Sequence, residues 1–171
     1  MPNHVVNELI FRDLSEEVLD AILSATCGPE GVDFSILVPM PLNVWQGNVG
    51  TKHEKAFRLD GMTWARDNWG TKWNAYKLRS PEREPGGLIL RFDTAWAPPY
   101  PWLAAVFNKF KVSFDHNWLD EGAERGVQGV FDYAKMEALG GDPWSETPAS
   151  EEMHRHFHKL RWGVEQFEDD E

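Results

Sequence analysis

The order in which hydrophobic periods follow one another limits the folds open to this chain more than any other feature. Residues 4–11 alternate with the two-residue period of a strand, and residues 15–25 then repeat apolar side chains at helical spacing. The same order returns at residues 88–94, which precede a helical stretch beginning at Pro101 and an alternating stretch at 111–118. These two passages predict an α+β fold, in which a ferredoxin-like, antiparallel-rich sheet carries helices on one face.

Shorter elements are predicted between and after these passages. The apolar run "VDFSILVPMP" predicts a strand ended by prolines, and residues 62–68 predict a short helix. Residues 73–79 are predicted to pair with residues 88–94 as a hairpin across the loop "SPEREPGG", and residues 127–133 to form a further strand. Residues 43–61 are polar and rich in turn-forming residues, which indicates a long excursion between elements.

The C-terminal part of the chain is predicted to be an addition to this domain. We expect the ferredoxin-like domain to span residues 1–135, and residues 136–171 to hold the linker "GGDPWSETPAS", an amphipathic helix and an acidic tail. One face of that helix carries five large apolar side chains: Met153, Phe157, Leu160, Val164 and Phe167. Such a stripe must be covered, either by the domain's own sheet or by a partner groove or a second copy of the chain.

The cysteine count and the hydropathy of the chain predict a cytoplasmic location. Cys27 is the single cysteine, so no internal disulfide can form, as is usual in a reducing compartment. No segment reaches the roughly 18 consecutive apolar residues that a membrane span needs. The N-terminus also lacks the basic start and apolar run of a secretory signal. We therefore expect a cytoplasmic protein without a membrane partner.

Charge is distributed unevenly along the chain. The net charge is −11, which disfavours passive attraction to nucleic acid or anionic lipid. Residues 52–91 nevertheless hold nine basic and five acidic side chains, a balance of +4 within a chain that is −15 elsewhere. The nine cations are Lys52, Lys55, Arg58, Arg66, Lys72, Lys77, Arg79, Arg83 and Arg91. This basic middle is therefore the part of the chain where a nucleic acid or nucleotide would bind.

Aromatic and basic residues are concentrated in the same part of the chain. The aromatic-basic cluster consists of Trp64, Arg66, Trp69, Lys72, Trp73, Lys77 and Arg79. Three interpretations stay open. In the simplest, Trp69 and Trp73 pin the excursion onto the core. Asn68 and Asn74 then hydrogen-bond loop backbone. In the other two, rings beside cations form a contact surface for a protein, or a stacking surface for single-stranded nucleic acid or a nucleotide.

Other clusters of polar side chains carry weaker chemical signals. Glu151, His154 and His158 share one face of the C-terminal helix and are candidate metal ligands. A solvated helix face fits them better, and we predict neither a metal nor a cofactor. Four carboxylates gather at a turn, where they more simply keep it soluble than catalyse a reaction: Asp115, Asp120, Glu121 and Glu124. His116 is predicted to be a hydrogen-bonded core histidine, and Cys27 a small buried residue.

Three stretches of the sequence resemble a known family. They are "MPNHVVNELIF" at the N-terminus, "NWGTKWNA" at residues 68–75 and "FDTAWAPPYPWL" from residue 92, and they are similar to the YubB-type ferredoxin-like domain family of phage and plasmid proteins. The resemblance spans about residues 1–133, and the block at 68–75 is its most specific part. It implies a ferredoxin-like fold without iron–sulfur chemistry, in agreement with the single cysteine. It also implies action inside a bacterial host, and it supplies no catalytic residue.

The residues and the resemblance together predict a non-enzymatic accessory protein that binds a protein of the bacterial host. A defence component is one candidate for that host protein. The residues expected at the contact are Trp69, Lys72, Trp73, Trp96, Lys77 and Arg79. Binding of single-stranded nucleic acid or a nucleotide through residues 64–91 is the alternative, and a metal-dependent enzyme is a further one. The C-terminal helix would also allow a homo-oligomer.

Overall fold

Eight strands and six helices make up the described part of the protein. The computed structural model describes residues 3–46 and 60–163. The strands are β1 (His4–Phe11), β2 (Cys27–Gly28), β3 (Gly31–Val32), β4 (Glu82–Glu84), β5 (Gly87–Ala95), β6 (Phe114–Asp120), β7 (Val127–Phe131) and β8 (Trp144–Pro148). The helices are α1 (Glu16–Thr26), α2 (Phe34–Leu37), α3 (Gly61–Asn68), α4 (Tyr100–Phe110), α5 (Tyr133–Leu139) and α6 (Glu151–Trp162).

The main sheet follows the ferredoxin-like order β–α–β–β–α–β. β1, α1, β4, β5, α4 and β6 supply these elements in chain order, and their strands lie side by side as β4–β5–β1–β6, each antiparallel to its neighbour. β7 and β8 extend the same sheet beyond β6, while β2 and β3 pair only with each other. The ferredoxin-like α+β fold class predicted from the sequence is therefore confirmed.

Helices α1, α2 and α4 cover one face of the sheet, which we call the helical face. Its core is aromatic, and Phe34, Phe92 and Trp102 are all fully buried in it. The rings of Phe34 and Trp102 lie 4.6 Å apart between centroids, and Phe92 meets both rings edge-on. Phe114 stacks on Phe131 at 4.8 Å, so the same core continues onto β7.

Helix α6 covers part of the opposite face, which we call the second face. Phe157 of α6 is fully buried against Val6 of β1 and Leu119 of β6, and Met153 and Leu160 pack beside it. Of the covers that the sequence left open for the apolar stripe, the domain's own sheet is therefore the one that these residues use. A homo-oligomer through this helix stays a prediction.

The segment "VDFSILVPMP" is a short helix, so the prediction of a strand there is wrong. Asp33 begins α2 by accepting a hydrogen bond from the backbone N–H of Ser35 at 2.9 Å. The backbone N–H of Phe34 donates to Asn74 Oδ1 at 2.9 Å, which satisfies a second free donor of the first turn. The local cap and the distant asparagine together outweigh the strand propensity of the apolar run.

The prediction of a strand over residues 73–79 is also wrong, although its position beside β5 is right. Tyr76 and Asp93 exchange two backbone hydrogen bonds of 3.0 and 2.8 Å as an isolated bridge. Lys77 then adopts a left-handed backbone with a φ of 45°, which interrupts the extended conformation. The regular hairpin forms later, between β4 and β5.

The predicted linker "GGDPWSETPAS" contains β8, so that prediction is wrong as well. β8 pairs with β7 in antiparallel register, with Trp144 opposite Phe131. The Trp144 ring lies over Gly129, where a Cβ would come within 2.1 Å of it, and its centroid is 4.3 Å from that of Phe131. A glycine in one strand and an indole in the next thus turn a polar segment into a sheet edge.

The predicted positions of several other elements are confirmed, among them the short helix after residue 60 and the helix that begins around Pro101. The division between residues 1–135 and 136–171 stays a prediction. Several predictions fall outside the described residues. They concern most of the excursion at 43–61 and the acidic tail, and also these side chains of the basic middle and the C-terminal stripe: Lys52, Lys55, Arg58, Val164 and Phe167. In the part of the chain that the structure describes, no helix is both long and apolar enough to cross a lipid bilayer.

Candidate functional site

The block "NWGTKWNA" forms a tight corner between α3, α4 and the edge of β5. α3 ends at Asn68, and Gly70 then turns the chain with a φ of 86°. A Cβ at this glycine would lie 2.5 Å from Cδ of Pro101, so glycine is what allows the turn to approach the start of α4 this closely. The chain then reaches β5, where the backbone N–H of Lys72 donates to the carbonyl of Ala95 at 3.2 Å.

Trp64 and Trp69 lie beneath this corner. They are 7% and 4% exposed, and their rings meet edge-on with centroids 5.1 Å apart. The indole N–H of Trp69 donates to the carbonyl of Val38 at 2.9 Å, so its single donor is used inside the protein. Trp69 therefore packs inward and holds the loop at Val38 onto the core, whereas Trp73 is exposed and does not take the inward position that the simplest interpretation gave it. The prediction that the Trp69 ring faces outward is wrong. Its predicted contact with a partner is limited to the small exposed part of the residue, which lines the cleft described below.

Trp73 and Trp96 face outward on either side of Lys72. The two indoles are 42% and 40% exposed. The ammonium of Lys72 lies 4.8 Å from the ring centroid of Trp73 and 4.7 Å from that of Trp96. Each such cation–π contact contributes about 0.5–1 kcal/mol at an exposed site. We call these three residues the indole–lysine clamp.

The clamp is assembled by contacts that are distant in sequence. Lys72 reaches it along the edge of β5, whereas Trp96 follows the end of that strand. The backbone of Trp96 has a φ of 80°, and its N–H donates to the carbonyl of Asn3 at 2.9 Å. These constraints hold Trp96 beside the end of β1, so the clamp stands on rigid elements of the fold.

A cleft with a volume of about 770 Å³ opens beside the clamp. Its walls come from α2, the loop after it and α3, and most of the wall residues are apolar: Met40, Trp45, Met62, Ala65 and Trp69. Lys72 and Trp73 of the clamp also line the cleft, as do the polar side chains of Ser35, Gln46 and Asn74. This volume lies within the range of about 300–1,000 Å³ that is usual for ligand sites. The arrangement can bury a large apolar side chain and place a negative charge beside Lys72.

Lys77 and Arg79 serve a different contact. Lys77 Nζ lies 3.5 Å and Arg79 Nη1 3.4 Å from the carboxylate of Asp93, which is almost fully buried. Arg79 also donates to the carbonyl of Leu160 in α6 at 3.1 Å. The two cations therefore neutralise a buried carboxylate and help to fasten α6. Arg66 does not line the cleft.

The candidate metal ligands lie along α6. His158 is buried, and its ring packs against that of Trp162 with centroids 4.4 Å apart. Glu151 is exposed in the first turn of the helix, and His154 lies between the two. Within residues 3–46 and 60–163, no three His, Cys, Asp or Glu side chains are grouped so that they could hold a metal ion.

His116 is a core residue, as predicted. It is fully buried, and its Nε2 lies 3.0 Å from Oδ1 of Asn7. Burial lowers the pKa of His116 to about 3, so the imidazole stays neutral at physiological pH. Burial also raises the pKa of the Cys27 thiol, which keeps it protonated and unreactive.

The acidic turn after β6 has structural partners. Asp120 Oδ1 accepts the backbone N–H of Gly122 at 2.8 Å, and Glu121 forms an ion pair with Arg161 of α6. These carboxylates close a turn and hold the C-terminal helix. A role in keeping the turn soluble stays a prediction for these side chains.

A buried ion-pair network lies under α6, and nothing in the sequence prediction anticipated it. Glu8 is 2% exposed; Arg91 Nε donates to it at 2.6 Å, and His156 Nε2 lies 2.9 Å away. Burial raises the pKa of Glu8, but the hydrogen bonds with His156 and Arg91 lower it by more, so the net shift is downward. One signal for this site was available: Glu8 alternates with Val6 and Ile10 on a strand face that would otherwise be apolar.

The presence of α6 on the second face also affects the nucleic-acid interpretation. RNA-recognition modules with a four-stranded sheet use the sheet surface to stack bases. In this protein Phe157 packs on the second face at Val6 and Leu119, and His156 reaches the Glu8 position. Base stacking on this part of the sheet is therefore blocked while α6 is docked.

Comparison with known proteins identifies one family. A family model described as a ferredoxin-like domain in Api92-like protein matches residues 69–160, which is more than half of the chain. The match begins at Trp69 and ends within α6, so it includes the clamp and the added strands β7 and β8. No curated protein and no solved structure matches the chain.

Proposed function

The chain belongs to the family of ferredoxin-like domains in Api92-like proteins, and with that family as the premise we propose that it is a non-enzymatic module that binds a protein of a bacterial host. The observation that carries this proposal is the indole–lysine clamp beside an apolar cleft. Trp73 and Trp96 keep about two fifths of their surfaces in solvent although most other large rings of the described chain are buried. Exposed, rigidly held indoles next to a concave apolar surface are typical of binding hot spots.

The biological setting is part of the same proposal. The resemblance to YubB-type proteins supports a protein encoded by a phage or plasmid, acting in the cytoplasm of the bacterial host. The proposed partner is a component of host defence, because a phage or plasmid would benefit from a small protein that binds it. The acidic surface, with a net charge of −11, supports a protein partner in place of a nucleic acid.

Nucleic-acid binding through residues 64–91 has less support. Lys77 and Arg79, two of the cations that it needs, are held by Asp93. α6 covers part of the sheet surface on which bases would stack. Lys72, Trp73 and Trp96 would remain for stacking one base, and the experiment below therefore includes a nuclease arm.

The proposal is tested by capture from a host lysate with variants of the full chain. The protein is immobilised and exposed to bacterial lysate with and without nuclease, and the retained proteins are quantified by mass spectrometry. The test variant combines Trp73→Ala with Trp96→Ala. The matched control is Trp162→Ala, because Trp162 is 47% exposed but lies on α6, away from the cleft lining.

We expect one host protein to be retained by the wild type and by Trp162→Ala, and about tenfold or more weakly by the double variant. Nuclease should leave that retention unchanged. Thermal unfolding should show that the double variant stays folded and loses about 1–3 kcal/mol, since more than half of each ring is buried and both cation–π contacts of Lys72 are removed. Equal retention by all three proteins would overturn the proposal, as would retention that disappears with nuclease or a double variant that fails to fold.

A further inference from the structure

The lining of the cleft favours an apolar occupant. Two of the polar side chains in its lining, Asn74 and Ser35, already have partners within the protein. Asn74 Oδ1 accepts the backbone N–H of Phe34 at 2.9 Å and that of Ala75 at 2.8 Å, and its Nδ2 donates to Asp33 at 2.7 Å. The Ser35 hydroxyl donates to the same Asp33 carboxylate. A ligand rich in hydrogen-bonding groups would find these atoms occupied, whereas an apolar side chain would cover them without breaking their hydrogen bonds.

The apolar walls are of an adaptable kind. Met40 and Met62 contribute flexible thioethers, and Trp45 and Trp69 contribute flat rings. Trp45 is 36% exposed. With about 770 Å³, the cleft has room for one large aromatic or branched aliphatic side chain together with the backbone that carries it.

Among the described residues that line the cleft, Lys72 is the cation. Among the described residues, no carboxylate lies within ion-pair distance of Lys72, whereas the neighbouring Lys77 and Arg79 both pair with Asp93. The flanking indoles of Trp73 and Trp96 shield the ammonium from water on two sides. An incoming carboxylate would therefore meet a positioned, partly desolvated charge, and such charge-assisted hydrogen bonds are the stronger ones.

From this combination we propose that the cleft recognises a peptide segment of the partner in which a large apolar side chain stands next to an aspartate or glutamate. This inference rests on the proposed function and names the chemistry of its partner. The apolar side chain enters the cleft, and the carboxylate meets Lys72 in the clamp. A nucleic-acid strand fits less well, because its successive phosphates need several cations, and of the described cations in this segment Lys72 lines the cleft while Lys77 and Arg79 pair with Asp93.

A displayed library of random dodecapeptides tests the proposal without knowledge of the natural partner. The library is selected on the immobilised full chain, and enriched peptides are then synthesised and titrated against the wild type, Lys72→Gln and Lys72→Glu. Lys77→Gln is the matched control, since Lys77 is a cation of the same segment that does not line the cleft. A fluorescent oligothymidine is titrated in parallel.

We expect the enriched peptides to share a Trp, Phe, Leu or Met within two positions of an acid. Their affinity should fall about tenfold with Lys72→Gln and further with Lys72→Glu, while Lys77→Gln changes it less than about twofold. Replacing the acidic residue of the peptide by its amide should lower the affinity of the wild type by the same factor. It should change the affinity of Lys72→Gln little.

Other results would overturn the inference. These are selection without an acid, no enrichment at all, or oligothymidine binding that depends on Lys72 and exceeds that of the peptides. Any of them leaves the proposed function standing if lysate capture still depends on Trp73 and Trp96. If the double variant at Trp73 and Trp96 captures host protein as well as the wild type does, the proposed function itself fails. The two failures are therefore distinguishable.

Discussion

The two faces of the sheet are buried by different means. On the helical face, three helices cover a continuous apolar core that includes the fully buried Phe34, Phe92 and Trp102. On the second face, the apolar contact of α6 is one small cluster around Phe157, and charged side chains make much of the remaining contact. The fold is therefore stabilised mainly from one side, and α6 is an addition whose docking depends on ion pairs.

This difference separates the part of the protein that holds the fold from the part that can detach. Segments with few buried apolar contacts open at lower free energy than the global unfolding of the domain. The clamp and the cleft stand on β5, α2 and α3, which belong to the helical side. Detachment of α6 should therefore leave the proposed binding site intact while exposing the second face.

The largest expected effect comes from removing one phenylalanine from each face. Phe92→Ala should lower the free energy of unfolding by about 3–5 kcal/mol, because it leaves a cavity among rigid aromatic rings. Phe157→Ala removes an equally buried ring but should cost no more than about 2 kcal/mol, because α6 can detach while the sheet stays folded. Urea unfolding followed by circular dichroism measures both losses.

Hydrogen exchange supplies the control for this pair. In Phe157→Ala, amides of α6 should lose protection while those of β1, β5 and β6 keep it. In Phe92→Ala, the protection of all these elements should fall together. Equal global losses in the two variants would contradict the distinction between the faces.

A smaller loss of stability is expected at Gly129, and it tests whether the apolar core of the helical face extends to the edge of the sheet. Gly129→Ala should cost roughly 1–3 kcal/mol, because its Cβ would lie 2.1 Å from the Trp144 ring and would push β8 away from β7. Gly87→Ala is the matched control: Gly87 is also in a strand, and the nearest atom to its added Cβ is 3.7 Å away. Thermal unfolding of the two variants measures the contrast, and a neutral Gly129→Ala would show that β8 is not held through Trp144.

Local sequence patterns were sufficient to predict the helical side. The alternating and helical periods of β1, α1, β5, α4 and β6 arise from nearest neighbours in the chain, so the ferredoxin-like order could be predicted from them. β8 could not be, because it forms where Trp144 fits over Gly129 of another strand. α2 likewise depends on Asn74, which lies far along the chain and accepts its Phe34 N–H.

One feature of the sequence of β1 indicated that the second face is also covered. Val6 and Ile10 are apolar on the face opposite Leu9 and Phe11, and apolar residues on both faces are typical of a strand that is covered on both sides. The partners of Glu8 could not be predicted, since they come from distant segments. Nor could spacing alone tell which tryptophans are buried. Trp69 turns inward because Gly70 reverses the chain directly after it, and Trp96 meets Lys72 only through the edge of β5.

The smallest expected effect concerns the charge under α6 and its dependence on pH. The pKa of Glu8 lies below its ordinary value of 4.5, because the hydrogen bonds with His156 and Arg91 outweigh the effect of burial. A carboxyl group with a lowered pKa stabilises the folded state fully above the ordinary value, and this contribution is lost as pH falls through the folded value. Glu8→Gln should therefore cost about 1 kcal/mol at neutral pH, with Arg91 still paired to Glu82, and should flatten the loss of stability below about pH 4.5.

Glu16→Gln distinguishes this local effect from general acid sensitivity. The pKa of Glu16 is also lowered, through hydrogen bonds from Arg83 and the backbone of Gly86, but Glu16 is exposed and lies on α1. Both variants should flatten the acid limb of the unfolding curve, yet only Glu8→Gln should reduce the hydrogen-exchange protection of α6 at neutral pH. If α6 kept its full protection in Glu8→Gln, the ion pair with His156 would not contribute to docking. In that case α6 would be held on the second face by Phe157 and its apolar neighbours, and the second face would differ less from the apolar helical face.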